Sequence, residues 1–363
     1  QAIVARTVEA TLGRDVANTN SMQELLTDVK MQLVVGPDLG KTAPVASYWF
    51  YHSRLYREAK TVVISLDEYP LAWRGELWLK PNSGTTAVLL NGIARQVIEL
   101  GLAAKDVAQD AGFSSWQQKL QGYDLESVSK TTGVESEQIR QAASLYATGG
   151  AGLSKAADGS YPPALIYQTV AHQLGDEYGD AAEISAACNN LAILTGNFGR
   201  PGGGVASPRG DANSQGAYDM GATPSMYAGG ASVEDAKSRA AIENAWLPRW
   251  AEKAKTSNGF VPVRTLPAKA GKTQAEMIAA IERGEIKAMI IDGRIAGRNE
   301  TLNPELEAAV AKLEFLVVFD AFDSPLAKLA HIVLPKAMSL EKDGTFTSFD
   351  RTVQRVRAAV PAF

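Results

Sequence analysis

Between Leu191 and Pro224 the chain reads LAILTGNFGRPGGGVASPRGDANSQGAYDMGATP, a short apolar run and then a stretch with no hydrophobic period. Eight glycines fall between Gly196 and Gly221. A residue without a Cβ can take φ > 0 and let backbone N–H groups approach a ligand closely. Among the glycines stand side chains that grip phosphate, amide or carboxylate groups: Asn197, Arg200, Arg209, Asn213 and Gln215. Two readings are open, a ligand cradle or a plain surface loop kept pliable by glycine. Long loops without secondary structure are uncommon in compact domains and are usually functional or disordered, which favours the cradle.

What precedes the loop is an alternation of strand and helix patterns. MQLVVG is a short β-branched run ending at Gly36, and PDLGKTAP follows it. A helix over Val45–Glu58 leads to a second strand, TVVISLDEYP, so a βαβ unit with a right-handed parallel crossover is expected. Asp67 closes that strand, where an acid can accept from ribose hydroxyls or simply cap a turn with Glu68. No G-x-G-x-x-G follows the first strand, so an ordinary NAD-type site is not supported. A third strand ends at Trp78 and Leu79, and Thr85 or Thr86 caps a helix through Leu100. Asn20 or Ser21 offers a cap before Met22–Val29, and Ser136 caps a helix carrying Ile139, Ala143 and Leu145. PALIYQTV is a further apolar run. His172 after it reads more readily as a structural donor than as a ligand.

Beyond the glycine stretch, AGGASVEDAKSRAAIENAWLPRWAEKAKTSNG reads as a helical cover. The final third then resumes the α/β rhythm, with strand runs at Lys287–Ile291 and Phe315–Phe319 and at HIVLPKA. Each run is continuously apolar, which predicts burial on both sheet faces. The fold class expected is α/β, two doubly wound and mostly parallel-sheet domains, residues 1–209 Rossmann-like and residues 210–363 a second α/β domain. Composition narrows the function. A net charge of −4 gives no reason to expect nucleic acid, and no apolar run is long enough for direct membrane insertion. One cysteine, Cys188, excludes an internal disulfide framework and any multi-cysteine metal or iron–sulfur site within these residues. A cytoplasmic location is the expectation, and the opening residue, Gln1, suggests a piece of a longer polypeptide.

Three separated stretches carry a resemblance: LTGNFGRPGGGV with PRG, AN and QGAYDMGATP; FSSWQQKLQGYDLESVSKTTGVESEQIRQAASLYA; and LVVFDAFDSPLAKLAHIVLPKAMSLEKDGTFTSFDRTVQRVRAAV, with Gly344–Thr347 and Gln354–Arg355. In that order they resemble the molybdopterin-oxidoreductase family, known from formate dehydrogenase alpha subunits and from the large iron–sulfur subunit of respiratory complex I. The resemblance implies a fold like the first three domains of formate dehydrogenase, with pterin guanine dinucleotides held between two α/β domains. It places a possible molybdopterin guanine dinucleotide on Gly36, Asp67, Gly196, Asn197, Gly199, Arg200, Gly202, Gly203, Arg209, Asn213, Gln215 and Gly216. Arg209 resembles the active-site arginine and is the catalytic candidate if the site is active; no metal ligand is expected. An iron–sulfur N-terminal segment and a C-terminal barrel, present in the family, are expected to lie outside this chain.

The departures from the pattern shape the expected function. Gly13–Asn20 holds neither the cysteine or selenocysteine nor the histidine of the metal-ligand loop of formate dehydrogenases, and Tyr218 stands at a family cysteine position. Gln168-Thr169-Val170 stands in place of a Gly-x-Gly, Pro81, Gly84, Thr85 and Thr86 stand where the family often has an acid in R-P-G-T-D, and Asp323, Pro325 and Ala327 stand in place of threonines. The first reading is therefore a structural portion of the large iron–sulfur subunit of NADH-quinone oxidoreductase, without a cofactor in this chain and inactive alone. Its iron–sulfur clusters would lie in the N-terminal part, and its partners would be other subunits of a membrane-associated respiratory complex on the cytoplasmic side. The alternative is a formate-dehydrogenase-like enzyme that binds the pterin.

Overall fold

The computed structural model describes residues 21, 24, 28–109, 111–150, 155, 160–169, 176–207, 212–256, 265–293 and 304–362. The chain divides into two compact units, Gln1–Ser214 with Thr347–Thr352, and Gln215–Phe346 with Val353–Phe363.

The first unit is built on a five-stranded sheet of β1 (Met31–Val35), β2 (Lys60–Ile64), β3 (Leu77–Leu79), β4 (Ala164–Gln168) and β5 (Gly204–Ala206). Its order is β3-β2-β1-β4-β5, with every pair parallel. Helices α1 (Leu39–Thr42), α2 (Pro44–Arg57) and α3 (Pro70–Arg74) alternate with the first strands, then come α4 (Thr86–Glu99), α5 (Leu125–Thr132), α6 (Ser136–Ala147) and α7 (Ala181–Leu194). β1 and β4 are buried along their whole length because both sheet faces are covered. On one face Leu33, Val62 and Ile64 pack with Leu90, Ile93, Val128, Ile139 and Leu191 of α4 to α7. On the other, Val34, Val63 and Tyr167 pack with Leu39, Phe50 and Leu71 of α1 to α3. The caps follow local chemistry: Asp124 accepts from the Ser127 N–H to start α5, and Asp180 accepts from the Ala182 and Glu183 N–H groups to start α7. Ser21 and Glu24 exchange the two hydrogen bonds of a capping box at the expected helix start.

In the second unit, α8 (Ser214–Asp219) is followed by α9 (Ala236–Thr256), the predicted helical cover. Then α10 (Gln274–Glu282), β6 (Ala288–Asp292), α11 (Pro304–Val310), β7 (Phe315–Asp320), α12 (Pro325–Leu329) and β8 (Ile332–Pro335) restore the alternation, and the three strands form a parallel sheet ordered β6-β7-β8. β9 (Gly344–Thr347) and β10 (Val353–Val356) pair as a two-stranded sheet. Burial on both faces does not hold here. Leu316 and Val318 of β7 pack with Ile281, Val310 and Leu326, whereas Ile290, Phe315, Phe319 and all of β8 are exposed among the described residues. A continuous apolar run reads the same whether one or two faces are covered, and the packed helices lie on one.

Candidate functional site

The strand order of the first sheet reverses between β1 and β4, and the carboxyl ends of strands at such a reversal are where open α/β sheets hold ligands. Gly36 lies there, buried, with φ 127°, and its N–H donates to the Ile64 carbonyl at 3.0 Å. Beside it Thr169 donates from its N–H to the Val35 carbonyl at 3.1 Å. A cleft of about 350 Å³ opens along the ends of β1 and β2, lined by Pro37, Asp38, Lys41, Asp67, Glu68, Tyr69 and Pro70. Asp38 is positioned by capping α1, where it accepts from the Gly40 N–H at 2.8 Å. Asp67 is exposed, and its carbonyl accepts from the Ser65 hydroxyl at 2.8 Å.

Three hydroxyls that follow strand ends on this edge are buried without a hydrogen-bond partner among the described residues: Tyr69 after β2, Thr86 after β3 and Ser207 after β5. Burial pushes the Tyr69 phenol well above its ordinary pKa, and nearby groups including Asp38 add to the shift, so the hydroxyl keeps its proton. Buried polar atoms are nearly always paired, so these three hydroxyls have free capacity for water or a ligand, as do other buried atoms of the unit away from this edge, such as Ser53 Oγ and the Asn189 amide. The sequence singled out Asp67 and proposed Thr86 as a cap. Tyr69 and Ser207 were missed, and their only sequence signal is their position just past an apolar run.

The glycine stretch behaves differently. Thr195–Gly203 connects α7 to the start of β5, so Gly196, Asn197, Gly199, Arg200, Gly202 and Gly203 sit at the amino-terminal edge of the sheet, away from Gly36 and Asp67. The single cradle expected from sequence is thereby corrected: a strand separates its first half from its second. The donors on this half serve the protein itself. The Asn197 side-chain oxygen accepts from the Ala164 N–H at the start of β4, and its amide donates to Thr195. Arg200 donates to the Tyr161 carbonyl at 2.7 Å. Gly202, at φ 72°, leaves no room for a side chain, since a Cβ would stand 2.8 Å from the Asp28 Cβ. A Cβ on Gly203 would lie 2.7 Å from the Asn197 carbonyl oxygen. The glycine requirement at these two positions comes from the chain's own backbone.

Past β5, Asn213 takes φ 63° and its side-chain oxygen accepts from the Thr347 N–H at 2.9 Å. In the second unit Gln215 is buried, donates to Asp219 at 2.7 Å, and leaves its side-chain oxygen without a partner among the described residues; Gly216 is buried beside it in α8. Arg209 and His172 lie outside the described residues. Cys188 is buried in α7, and burial pushes its thiol pKa up, which disfavours the thiolate. Among the described residues no group of three histidine, cysteine, aspartate or glutamate side chains could hold a metal, and no helix is long and apolar enough to cross a membrane.

A doubly wound first sheet and a second parallel unit describe a class of α/β proteins that carry ligands at strand ends. The model of one family, molybdopterin oxidoreductase, matches residues 3–363, and the chain belongs to that family. It is 32% identical over 326 residues to "Probable oxidoreductase YjgC" of Bacillus subtilis (strain 168), across 89% of this chain and 30% of that protein. It is 32% identical over 352 residues to the F420-dependent formate dehydrogenase 2 subunit alpha of Methanococcus maripaludis, across 95% of this chain and 46% of that one. With formate dehydrogenase H of Escherichia coli (strain K12) it shares 31% over 304 residues, across 83% of this chain and 38% of that one. The chain thus spans less than half the length of each of these relatives. Among solved structures, acetylene hydratase from Pelobacter acetylenicus superposes with a TM-score of 0.64 at 19% identity, across 95% of this chain and 47% of that one, a likeness of fold. These relatives include formate dehydrogenases, and they lend no support to a complex I subunit.

The family implies a molybdopterin cofactor. The carboxyl edge fits the hydroxyl- and amine-bearing parts of such a group, since unpaired hydroxyls and the carboxylates of Asp38, Asp67 and Glu68 can pair with them. It does not fit phosphate there: three acids face one lysine, Lys41, and the Gly36 N–H is already bonded within the sheet.

Proposed function

We propose that this chain is the pterin-binding portion of a formate-dehydrogenase-like molybdopterin oxidoreductase, the alternative of the two sequence readings. The observation that carries it is the similarity to formate dehydrogenase alpha chains over as much as 95% of the chain, together with the unpaired hydroxyls at the strand ends. When bound, the cofactor, read as a molybdopterin guanine dinucleotide, supplies two-electron oxidation or reduction of a small substrate. The residues here bind and orient it. Asp67 accepts from ribose or amine donors at the open side of the cleft, while Tyr69, Thr86 and Ser207 donate from hydroxyls already stripped of water. Arg209 is the catalytic candidate in this reading, and iron–sulfur clusters belong to a segment preceding this one.

The complex I reading stays second, favoured by the internal engagement of Asn197, Arg200 and Asn213. In it the partners are other subunits of a membrane-associated respiratory complex, on the cytoplasmic side. Molybdenum and tungsten analysis of the full-length protein, with fluorescence of oxidised pterin, tests the choice. A stoichiometric pterin and formate-dependent reduction of a viologen dye support the proposal. A metal-free, pterin-free protein overturns it in favour of the second reading.

A further inference from the structure

Helix α2 carries apolar and aromatic residues on its outward side as well as its inward one. Ala46 and Phe50 are buried against the sheet, and a helix so placed ordinarily turns charges toward water. The outward side of α2 instead carries Val45, Tyr48, His52, Leu55 and Tyr56, with exposures of 72% for Val45, 58% for Tyr48, 65% for Leu55 and 70% for Tyr56. No charged residue of α2 joins this stripe. Arg54 pairs with Glu76 at 3.8 Å, and Arg57 lies about 140° round the helix from the stripe's centre at 3.6 residues per turn. The rings form a ladder along the axis: His52 stands 6.1 Å from Tyr48 and 4.6 Å from Tyr56, centre to centre. The patch continues onto α3, where the Arg74 guanidinium lies over both Tyr51 and the exposed Trp73, at 5.8 and 4.8 Å.

We propose that this stripe is a self-association surface, on which α2 packs antiparallel against α2 of a second copy of this chain across a two-fold axis. The α2 stripe carries no acid, lysine or arginine, and Arg74 at its edge is engaged by the Tyr51 and Trp73 rings, so the stripe can meet its own copy, as a two-fold contact requires a patch that is complementary to itself. Antiparallel pairing sets Val45 at one end against Tyr56 at the other and opposes the two helix dipoles. Covering the exposed large side chains removes about 600 Å² per copy, or about 1,200 Å² for the pair, which reaches the lower bound of a stable interface. Tyrosine and tryptophan are also the residue types that concentrate binding energy at such contacts.

The test is sedimentation velocity of the full-length protein from nanomolar to tens of micromolar, for the wild type and for Tyr48→Lys/Tyr56→Lys. The expected result is a wild-type dimer and a variant whose dissociation constant is weakened about a hundredfold, because four charges, two from each copy, would have to be desolvated at the contact. Both side chains are exposed in the single copy, so the melting temperature measured below the dimer constant should stay unchanged. Hydrogen exchange of the wild type supplies an independent readout: amides of residues 44–57 should gain protection only as the concentration passes the dimer constant. A wild type that stays monomeric overturns the proposal, whether or not another protein covers the stripe. So does a dimer that survives the double variant with residues 44–57 unprotected. Should the variant fail to fold, the wild-type exchange pattern decides.

Discussion

Both edges of the first sheet carry side chains with hydrogen bonds to give, and they treat them in opposite ways. At the amino edge, glycines, an asparagine and an arginine are consumed by the protein: Asn197 closes the start of β4, Arg200 holds the Tyr161 carbonyl, and Gly202 and Gly203 admit neighbouring backbone. At the carboxyl edge, Tyr69, Thr86 and Ser207 are buried with no partner among the described residues, and Tyr69 lines a cleft rimmed with carboxylates. Buried donors that find partners inside the chain stabilise the fold, and those that do not weaken it by their desolvation until something binds. The first edge holds the sheet together, and the second is available for a ligand.

The largest effect that would break this comparison is expected at the amino edge. Gly203→Val drives a Cβ into a backbone carbonyl oxygen that cannot swing aside, so a loss of about 3 kcal/mol is expected in denaturant melts. An unchanged midpoint, with pterin lost instead, would return the loop to the ligand. Asn197→Ala leaves the Ala164 N–H buried without an acceptor and should cost about 2 kcal/mol. If cofactor content falls while stability holds, the division between the edges is wrong.

At the carboxyl edge the order of effects reverses. Tyr69→Phe and Ser207→Ala remove hydroxyls that lack partners, so the pterin-free protein should gain about 1 kcal/mol of stability while retained pterin, read by fluorescence after oxidation, declines. A marked stability loss in either variant would show that the hydroxyl is already bonded. The smallest effect serves as a baseline on a helix cap. The Asp124 carboxyl is held below its usual range by its bonds to Ser127, so its contribution is present above the unfolded-state pKa and lost as pH falls through the folded one. Asp124→Asn should flatten the acid limb of the stability profile below about pH 4 and change neither edge.

Much of the architecture was legible because its signals are local. MQLVV is apolar at nearly every position and ends at a glycine, and the structure places β1 over those same residues, Met31–Val35. Asp67 was read as closing the second run, whereas β2 ends at Ile64 and the acid lies in the bend that follows it, since the exact end of a strand depends on pairing and not on residue type alone. The glycine stretch was harder to read. Its composition resembles a phosphate cradle whether the φ > 0 positions face a ligand or the chain's own backbone, because glycine answers both demands in the same way. The open face of the second sheet was hidden for a related reason: Ile290 and Phe315 look the same in sequence as residues that are covered.

The sequence by itself determined the alternation of strand and helix, the family and the absence of a multi-cysteine site in these residues. Each of these depends on residue type and near-neighbour spacing. Only the tertiary structure decided that β5 separates Gly203 from Asn213, that Asn197 meets Ala164 across 33 positions of chain, and that Tyr69 is buried without a partner. Those facts depend on which distant segments share a sheet edge, and strand order is set by packing the whole core rather than by any local stretch.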